Sequence, residues 1–409
     1  MNQTKTLHLI GISSPKDLTE EQKNILKEAE VLAAPARLLS FFPDFPGLKL
    51  PLTGSLADWL ERIAQIYPGA KTVVLASGDP NFFGLAKKLL TRVEPESVVI
   101  LPGLTTVQKA FALWRKSWAD TETVSLHGRD SWRIFWSAVF RLAQWGELLC
   151  VFTDPDNTPA KIAKALLTKG LTNFAVHVFE ELGTQEEKIS HLSLDEAAGR
   201  CFSPLNLLVL EVTQRPAPVT LGGQEEIYEP ENGLITKKEI RSVALGLMEL
   251  TGQETFWDLG AGTGSVSIEA GRLLEYGELW AIEKNPQRVL TIAKNLSKFG
   301  LAHLNIIQGR APGALKLLPD PDRVYVGGGG DDLPAVLEET YRRLRPGGLI
   351  VAAAVDPVRL TQAVQVLSRS SPARTVQLSV ARSQELAHGY YFKPLTPLWL
   401  IKGQKPLAR

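Results

Sequence analysis

Short apolar runs alternate along the whole chain with longer segments in which apolar residues recur at helical spacing. The runs in the first half are TLHLIGI, TVVLASG, SVVILPG, ELLCVFT and FAVHVFE. Those in the second half are TFWDLGAG, ELWAIEK, LNIIQGR, RVYVGGGG and GGLIVAAAV, and amphipathic stretches such as EEQKNILKEAEVL separate the runs. Strands that alternate with helices in this way build parallel sheets. The pattern therefore predicts an α/β protein with largely parallel sheets.

The alternation is interrupted once, in residues 214–231, whose sequence is QRPAPVTLGGQEEIYEPE. This stretch follows the strand-like run NLLVLEV and is rich in proline and glycine. Such punctuation after an apolar strand is typical of a domain boundary. We therefore expect a first domain in residues 1–213, a linker in 214–231 and a second domain in 232–409, each domain of ordinary size.

Composition narrows the class of protein. The chain has 409 residues, of which 44% are hydrophobic, and 45 Lys and Arg balance 44 Asp and Glu. This balance disfavours a general nucleic-acid binder, which normally carries a basic excess. Two cysteines cannot form a disulfide framework, and no histidine spacing matches a metal site. No apolar stretch approaches the length of a membrane span, so we expect a soluble cytoplasmic protein without a bound metal.

The strongest motif is a glycine loop between a predicted strand and a predicted helix. Asp258 ends the strand, and Glu283 ends the next strand, where a carboxylate can accept ribose hydroxyls. A dinucleotide fingerprint would place a third glycine at Ser265, and Asp258 suits a ligand with an ammonium group. The spacing favours S-adenosylmethionine over a nicotinamide or flavin cofactor, or over a purely structural turn. The loop residues expected to bind it are Gly260, Ala261, Gly262, Thr263 and Gly264.

Further loops are expected at the same edge of that sheet. Residues 308–312 follow the third strand of the domain, and the glycine run 327–330 follows the fourth, although such a run also suits a flexible linker. Upstream, Thr236 and Glu239 match a capping box at the start of a helix. That helix start would also bring Thr236 and Lys237 near the ligand.

The first domain contains three polar turns after apolar runs. They are SGDPNFFG, LPGLTT and SLHGRD, and each exposes backbone groups at a strand end. Any one of them is more often a plain turn than a site. Three in one α/β domain favour a second ligand cleft, for which we select Gly78, Asp79, Phe82, Thr105 and Thr106.

These three motifs resemble the tetrapyrrole methylase family, in its cobalamin-pathway branch that methylates carbon 5 of the macrocycle. In the second domain, ITKKEIR, DLGAGTG, AIEKNP, GRAPGAL, VGGGG and LRPGG resemble the partner that methylates carbon 15 and removes carbon dioxide. In this order the chain resembles the fused, decarboxylating C(5,15)-methyltransferase family that acts on precorrin-6B and yields precorrin-8.

The resemblance implies a tetrapyrrole methylase fold of two α/β lobes followed by a Rossmann-like methyltransferase domain. It also implies two S-adenosylmethionine sites, one per domain. For the second site it adds Thr236, the loop 260–264, Glu283 and Ala311 as cofactor contacts.

A precorrin bears many carboxylates, so cations should line the site, arginine because it can bind them bidentately. We select Lys237, Arg241, Arg310 and Arg382, with Asp331 beside them and Arg129 in the first domain. Residues of these types are more often surface charges than ligands of a substrate. Two other functions stay open: an RNA-modifying methyltransferase, and a fusion whose first domain only binds the tetrapyrrole. We also expect a homo-oligomer.

Overall fold

The computed structural model describes residues 6–128, 131–229, 235–327, 330–369 and 371–407. Its α-helices are α1 Glu20–Glu28, α2 Ala36–Leu39, α3 Leu56–Ile66, α4 Ala86–Leu89, α5 Thr106–Trp114, α6 Trp132–Gln144, α7 Pro159–Thr168, α8 Leu194–Ala198, α9 Lys238–Leu247, α10 Ser265–Leu273, α11 Pro286–Phe299, α12 Leu333–Arg343 and α13 Pro357–Leu367. The strands of the first half are β1 Leu7–Ile12, β2 Val31–Ala34, β3 Leu48–Pro51, β4 Thr72–Ser77, β5 Val98–Leu101, β6 Glu122–Ser125, β7 Leu148–Phe152, β8 Phe174–Glu180, β9 Lys188–Ser193 and β10 Asn206–Val212. Those of the second half are β11 Thr255–Leu259, β12 Glu278–Glu283, β13 Leu304–Gln308, β14 Arg323–Val326, β15 Leu349–Ala354, β16 Arg374–Leu378, β17 Ala381–Leu386, β18 Gly389–Pro394 and β19 Leu398–Gln404.

The first sheet is parallel and has the order β3-β2-β4-β1-β5. Ile12 pairs with Ser77 in register, so the carboxyl ends of β1 and β4 lie at the same edge. The inward positions of its strands pack on α3, with Trp59 and Leu60 almost completely buried. A second sheet has the order β6-β7-β10-β8-β9. Both sheets confirm the predicted α/β class for this half.

The third sheet has seven strands in the order β13-β12-β11-β14-β15-β19-β16. β11 pairs in parallel with β12 and β14, and only β19 runs antiparallel to its neighbours β15 and β16. The order reverses on the two sides of β11, which creates a switch point at its carboxyl end, where open α/β sheets bind ligands. The predicted Rossmann-like domain is confirmed, and the glycine loop follows the strand at this switch point.

The chain divides into two compact units, and their boundary differs from the expected linker. One unit comprises Met1–Asp120, His177–Ser190 and Phe202–Leu208, and the other comprises Thr121–Val176, His191–Cys201 and Val209–Arg409. Helix α6 belongs to the second unit because its polar side chains bond there. The Ser137 hydroxyl donates to the Gly277 carbonyl at 3.1 Å, and Arg141 Nη1 donates to the Glu275 carbonyl at 2.7 Å.

The expected linker is also packed within the second unit. Arg215 Nη1 donates to the Leu142 carbonyl at 2.7 Å, and the Ala217 amide donates to the Lys298 carbonyl at 3.0 Å. Tyr228, near its end, is 2% exposed. These two hydrogen bonds and the buried Tyr228 side chain anchor the segment to the second unit at separate points.

No helix within the described ranges is both long and apolar enough to cross a membrane. Within the same ranges, no three His, Cys, Asp or Glu side chains are grouped so that they could hold a metal ion.

Candidate functional site

The glycine loop turns sharply between β11 and α10. Gly260, Gly262 and Gly264 have φ values of +75°, +59° and +78°, a region that side chains with a Cβ rarely adopt. A Cβ built on Gly262 would meet no atom of the described residues within 4 Å. The loop therefore has a free side at the carboxyl edge of the sheet, where a ligand can approach the backbone.

Asp258 lies at the end of β11 and is 1% exposed. The Ser267 hydroxyl and amide donate to its Oδ2 at 2.6 and 3.1 Å, whereas Oδ1 has no hydrogen-bond partner among the described residues. Burial raises the pKa of Asp258 to about 7, against the opposing effect of the Ser267 hydrogen bonds. A buried acceptor without a partner is costly, and a bound ammonium group would satisfy it.

Glu283 ends β12 and is 3% exposed. Its Oε2 accepts from the Gly262 amide at 3.0 Å, and its Oε1 accepts from the Asn285 amide at 2.9 Å. A carboxylate has about four lone-pair sites, so both oxygens keep capacity for ribose hydroxyls. The structure thus brings the predicted acidic partner into direct contact with the predicted glycine loop.

The neighbouring loops lie at the same edge, as their backbone bonds demonstrate. The Gly309 amide donates to the Glu283 carbonyl at 2.9 Å, and the Gly327 amide donates to the Leu259 carbonyl at 3.0 Å. Ala311 is half-buried against the core of the domain. Residues 328–329 of the glycine run lie outside the described residues, and so does Arg129 of the first domain.

Helix α9 starts differently from the predicted capping box. Its N-cap is Lys237, without a side-chain cap hydrogen bond, and the helix begins at Lys238. The Thr236 hydroxyl instead bonds the Tyr325 phenol, and Glu239 pairs with Arg382. The capping-box prediction is wrong because tertiary partners claim both side chains. Thr236 still reaches the site, since Tyr325 pairs with Asp258 in the register of β14 and β11.

The four predicted cations of the second domain have different surroundings. Arg241 is completely buried and pairs with Glu269. Arg382 forms bidentate pairs with Glu225 and Glu239. Arg310 pairs with Asp332 at the surface. Lys237 lies near Glu225 and is one of the charges that lower the pKa of that carboxyl group. The side chain of Asp331 lies outside the described part of the chain.

Sequence reasoning missed Glu269, Glu225 and Glu239 as partners. Glu269 is fully buried in α10 beside Val266 and Ile268. The available indication was a single carboxylate among the apolar residues Val266, Ile268 and Ala270 of α10, because a buried charge needs a partner. The sequence gives no means of finding which arginine that partner is.

In the first domain, three strand ends meet at glycines. A Cβ on Gly11 would lie 1.9 Å from the Gly78 carbonyl oxygen and 2.4 Å from the Gly103 amide. Gly78, with φ +67°, faces Thr105, whose Cα would lie 3.2 Å from a Cβ at position 78. Two of the five residues selected for this cleft are thus in contact, and Gly11 and Gly103 join them.

The other selected residues lie in the same turns. Asp79 Oδ1 accepts from the Asn81 amide at 2.8 Å, and Phe82 packs edge-on against Phe83. Thr105 caps α5 in a capping box with Gln108, and Thr106 is the first residue of that helix. The cap occupies the Thr105 hydroxyl, so this turn offers mainly backbone groups to a ligand.

Two family models match the chain. Residues 9–198 match the tetrapyrrole (corrin/porphyrin) methylases, and residues 226–404 match the precorrin methyltransferase domain. A precorrin-6Y C(5,15)-methyltransferase [decarboxylating] from Sinorhizobium sp is 29% identical over 95% of this chain and 93% of its own length.

Two shorter proteins resemble the second domain. A probable cobalt-precorrin-6B C(15)-methyltransferase (decarboxylating) from Sulfolobus acidocaldarius is 35% identical over 44% of this chain and 95% of its own length. A solved precorrin-6Y C5,15-methyltransferase structure from Geobacter metallireducens is 36% identical, covers 45% of this chain and 98% of that chain, and has a TM-score of 0.44. The two family models and the Sinorhizobium and Sulfolobus relatives agree with the motifs in both halves, and the chain therefore contains a tetrapyrrole methylase domain followed by a precorrin methyltransferase domain.

Proposed function

We propose that the chain methylates precorrin-6B at carbons 5 and 15 and decarboxylates the carbon-12 acetate, giving precorrin-8 in cobalamin biosynthesis. The observation that carries this is the contact of the glycine loop with Glu283 beside Asp258, in a domain that matches the precorrin methyltransferases. The same chain contains a tetrapyrrole methylase domain. Its balanced charge gives no support to the RNA-modifying alternative.

The proposal includes two S-adenosylmethionine sites, one per domain. In the second, Asp258 would hold the ammonium group and Glu283 the ribose, while the loop 260–264, Thr236 and Ala311 would enclose the ligand. In the first, the backbone around Gly78 and Thr105 would do so, with Asp79, Phe82 and Thr106 beside them. When bound, S-adenosylmethionine supplies the methyl group. The chain contributes orientation, which can itself lower a barrier by several kcal/mol.

For the substrate carboxylates we propose Lys237 and Arg310. The Arg310–Asp332 pair has side chains 67% and 37% exposed, and exposed pairs are weak, so a substrate carboxylate can replace Asp332. The guanidinium groups of Arg241 and Arg382 are paired with glutamates, so we propose that these arginines stabilise the structure around the site and do not bind the substrate. The role of Asp331 beside these substrate-binding cations stays a prediction.

We place decarboxylation in the second domain. Loss of carbon dioxide from an acetate leaves an electron pair that needs an electron-poor acceptor, which the macrocycle becomes once carbon 15 carries a methyl group. The protein would hold the carboxylate away from water and stabilise the charge that develops on the ring with fixed dipoles.

Mass spectrometry of the product made by the full chain from precorrin-6B tests this assignment. The wild type should add two methyl groups and release one carbon dioxide. Gly262→Val should give a singly methylated product that keeps its carboxylate, and Gly78→Val a singly methylated, decarboxylated one. The matched control is Gly246→Ala, in α9, where a Cβ meets nothing.

Each other outcome overturns a specific part of the proposal. Carbon dioxide release by Gly262→Val would move decarboxylation out of the second domain. Two methyl groups added by Gly78→Val, or a single one by the wild type, would leave the first domain as a module that only binds the tetrapyrrole.

We further propose a homo-oligomer formed through the hairpin of β17 and β18. Tyr390 and Phe392 are 71% and 70% exposed on this two-stranded sheet. Exposed aromatic patches and open strand edges are typical of association surfaces. Light scattering should give an oligomer for the wild type and a smaller species for Tyr390→Ser/Phe392→Ser, with Leu317→Ser, at a position 94% exposed, as the control. A monomeric wild type would refute this.

A further inference from the structure

Glu269 is a buried carboxylate one helical turn beyond the glycine loop. It is completely excluded from solvent, yet four donors surround it. The Gly222 and Gly223 amides donate at 3.0 and 3.2 Å, and the Tyr228 hydroxyl donates at 2.9 Å. The fourth is Arg241 Nε, at 2.8 Å. Glu269 thus binds helix α9 and the segment 222–228 to the helix that follows the cofactor loop.

All three guanidinium nitrogens of Arg241 donate hydrogen bonds inside the protein. Besides the bond to Glu269, Nη1 donates to the Thr236 carbonyl and Nη2 donates to the Gly223 carbonyl. The ring of Tyr228 lies 4.9 Å from the guanidinium carbon. A planar arginine can serve three acceptors in fixed directions, which a lysine cannot. Since the side chain is completely buried, Arg241 acts on the residues that it holds and does not itself touch a ligand.

The residue held most directly is Thr236, which is bound at both ends. Its carbonyl accepts from Arg241, and its hydroxyl bonds Tyr325, which is 2% exposed. Tyr325 in turn is the register partner of Asp258. A continuous chain of contacts therefore runs from Glu269 through Arg241, Thr236 and Tyr325 to the buried carboxyl group at the cofactor loop.

We propose that Glu269 and Arg241 are positioning residues for the second cofactor site. The segment 222–228 contributes to that site indirectly, because it holds both side chains in place. They fix the backbone of Thr236 beside Tyr325, so that Thr236 meets the ligand in one orientation. This inference rests on the proposed S-adenosylmethionine site of the second domain. The competing explanation is a buried ion pair that only stabilises the fold.

The two explanations predict different ligand affinities for a variant in which the lost stability has been recovered. Arg241→Met and Glu269→Gln each leave one buried charge unpaired and should lower the melting temperature. The double variant Arg241→Met/Glu269→Gln removes both charges and should recover much of that loss. It still lacks the donor to the Thr236 carbonyl. We expect calorimetry on the full chain to give an S-adenosylmethionine dissociation constant about tenfold higher at the second site, about 1.4 kcal/mol.

Arg241→Lys tests the positioning role while both charges of the buried pair with Glu269 are kept. Lysine keeps the charge opposite Glu269 but cannot reach both carbonyls. Its melting temperature should fall by less than that of Arg241→Met, because the charge opposite Glu269 is kept, while its affinity for S-adenosylmethionine falls. In turnover, KM for S-adenosylmethionine should rise more than kcat falls. The matched control is Arg323→Met, at the amino end of β14, which loses bonds to the Met248 and Glu249 carbonyls and should lower only stability.

Wild-type affinity in Arg241→Lys, or in a folded double variant, would overturn the positioning role. So would an affinity loss in Arg323→Met that matches its loss of stability. Failure of the underlying site is separately visible, because Gly262→Val would then leave the number of bound S-adenosylmethionine molecules unchanged.

Discussion

The Glu283 carboxylate accepts a hydrogen bond from the Gly262 amide at 3.0 Å, which joins the ends of β12 and β11 across the candidate cofactor site. This bond orients the carboxylate before any ligand arrives. It also makes the site sensitive to the backbone conformation at Gly262, where φ is +59°.

Gly262→Val should therefore abolish ligand binding at the second site alone. A β-branched residue disfavours the left-handed conformation, and its side chain would occupy the free side of the loop. Titration calorimetry of the full chain should give two bound S-adenosylmethionine molecules for the wild type and one for the variant. A wild-type count of one would contradict the two-site proposal.

Asp258 should make ligand affinity at this site depend on pH. Burial raises its pKa to about 7, so the charged form that pairs with an ammonium group accumulates only as pH rises through that value. Affinity for S-adenosylmethionine should rise between pH 6 and 8 in the wild type, beyond any change in Asp258→Asn. An identical pH profile in the two proteins would rule out this role for Asp258.

The same shift has a consequence for stability. The unfolded chain releases the Asp258 proton near its ordinary value of 3.8, whereas the folded chain keeps it until about 7. Stability from this group is therefore complete below pH 3.8 and is lost as pH rises through 7. At pH 8 the free energy of unfolding of Asp258→Asn should exceed that of the wild type by about 2–4 kcal/mol, which denaturant titration measures. Equal stability there would contradict the buried, unpaired carboxylate.

Features that depend on local sequence patterns could be predicted, whereas contacts between elements that meet only in the folded chain could not. The strand–helix alternation and the pairing of the glycine loop with Glu283 depend on local strand–loop–helix patterns, which the spacing reveals. The Arg241–Glu269 pair joins residues whose proximity depends on how two helices pack, and no local pattern encodes that. The capping box failed for the same reason, since Glu239 has a stronger partner in Arg382, far along the chain.

Arg382 should fix the base of the hairpin formed by β17 and β18. Its hydrogen bonds hold the pKa of Glu225 at about 2, below the ordinary 4.5, so this pair stabilises the fold above pH 4.5 and is lost as pH falls through 2. Glu225→Gln should lower stability at pH 7 by about 0.5–1 kcal/mol, a modest value because the pair is partly exposed. Hydrogen exchange in residues 381–394 should rise, and exchange in β11 should not.

The matched control for Glu225→Gln is Glu226→Gln, the next residue of the 3-10 helix Glu225–Ile227. No change in hairpin exchange is expected for Glu226→Gln, because Arg382 bonds Glu225 and Glu239, and no bond to Glu226 is seen among the described residues. Unchanged exchange in the hairpin of Glu225→Gln would show that other contacts hold it.

Helix α6 should keep the two halves of the chain together after the backbone is cut. Ser137 and Arg141 donate from this helix to the Gly277 and Glu275 carbonyls, and both side chains are buried. A protease site inserted between the exposed residues Thr220 and Leu221 would break the chain without removing these bonds. The cleaved fragments should co-elute in gel filtration, because the buried contacts of α6 persist without the covalent connection.

Arg141→Ala leaves the Glu275 carbonyl without its donor, and truncation of one partner of such a contact commonly weakens association by about 2–5 kcal/mol. The fragments of that variant should therefore separate on dilution, whereas those of the exposed control Arg200→Ala should not. Wild-type fragments that separate at once would show that α6 contributes little to holding the halves together, and would favour two independent domains joined at residues 214–231.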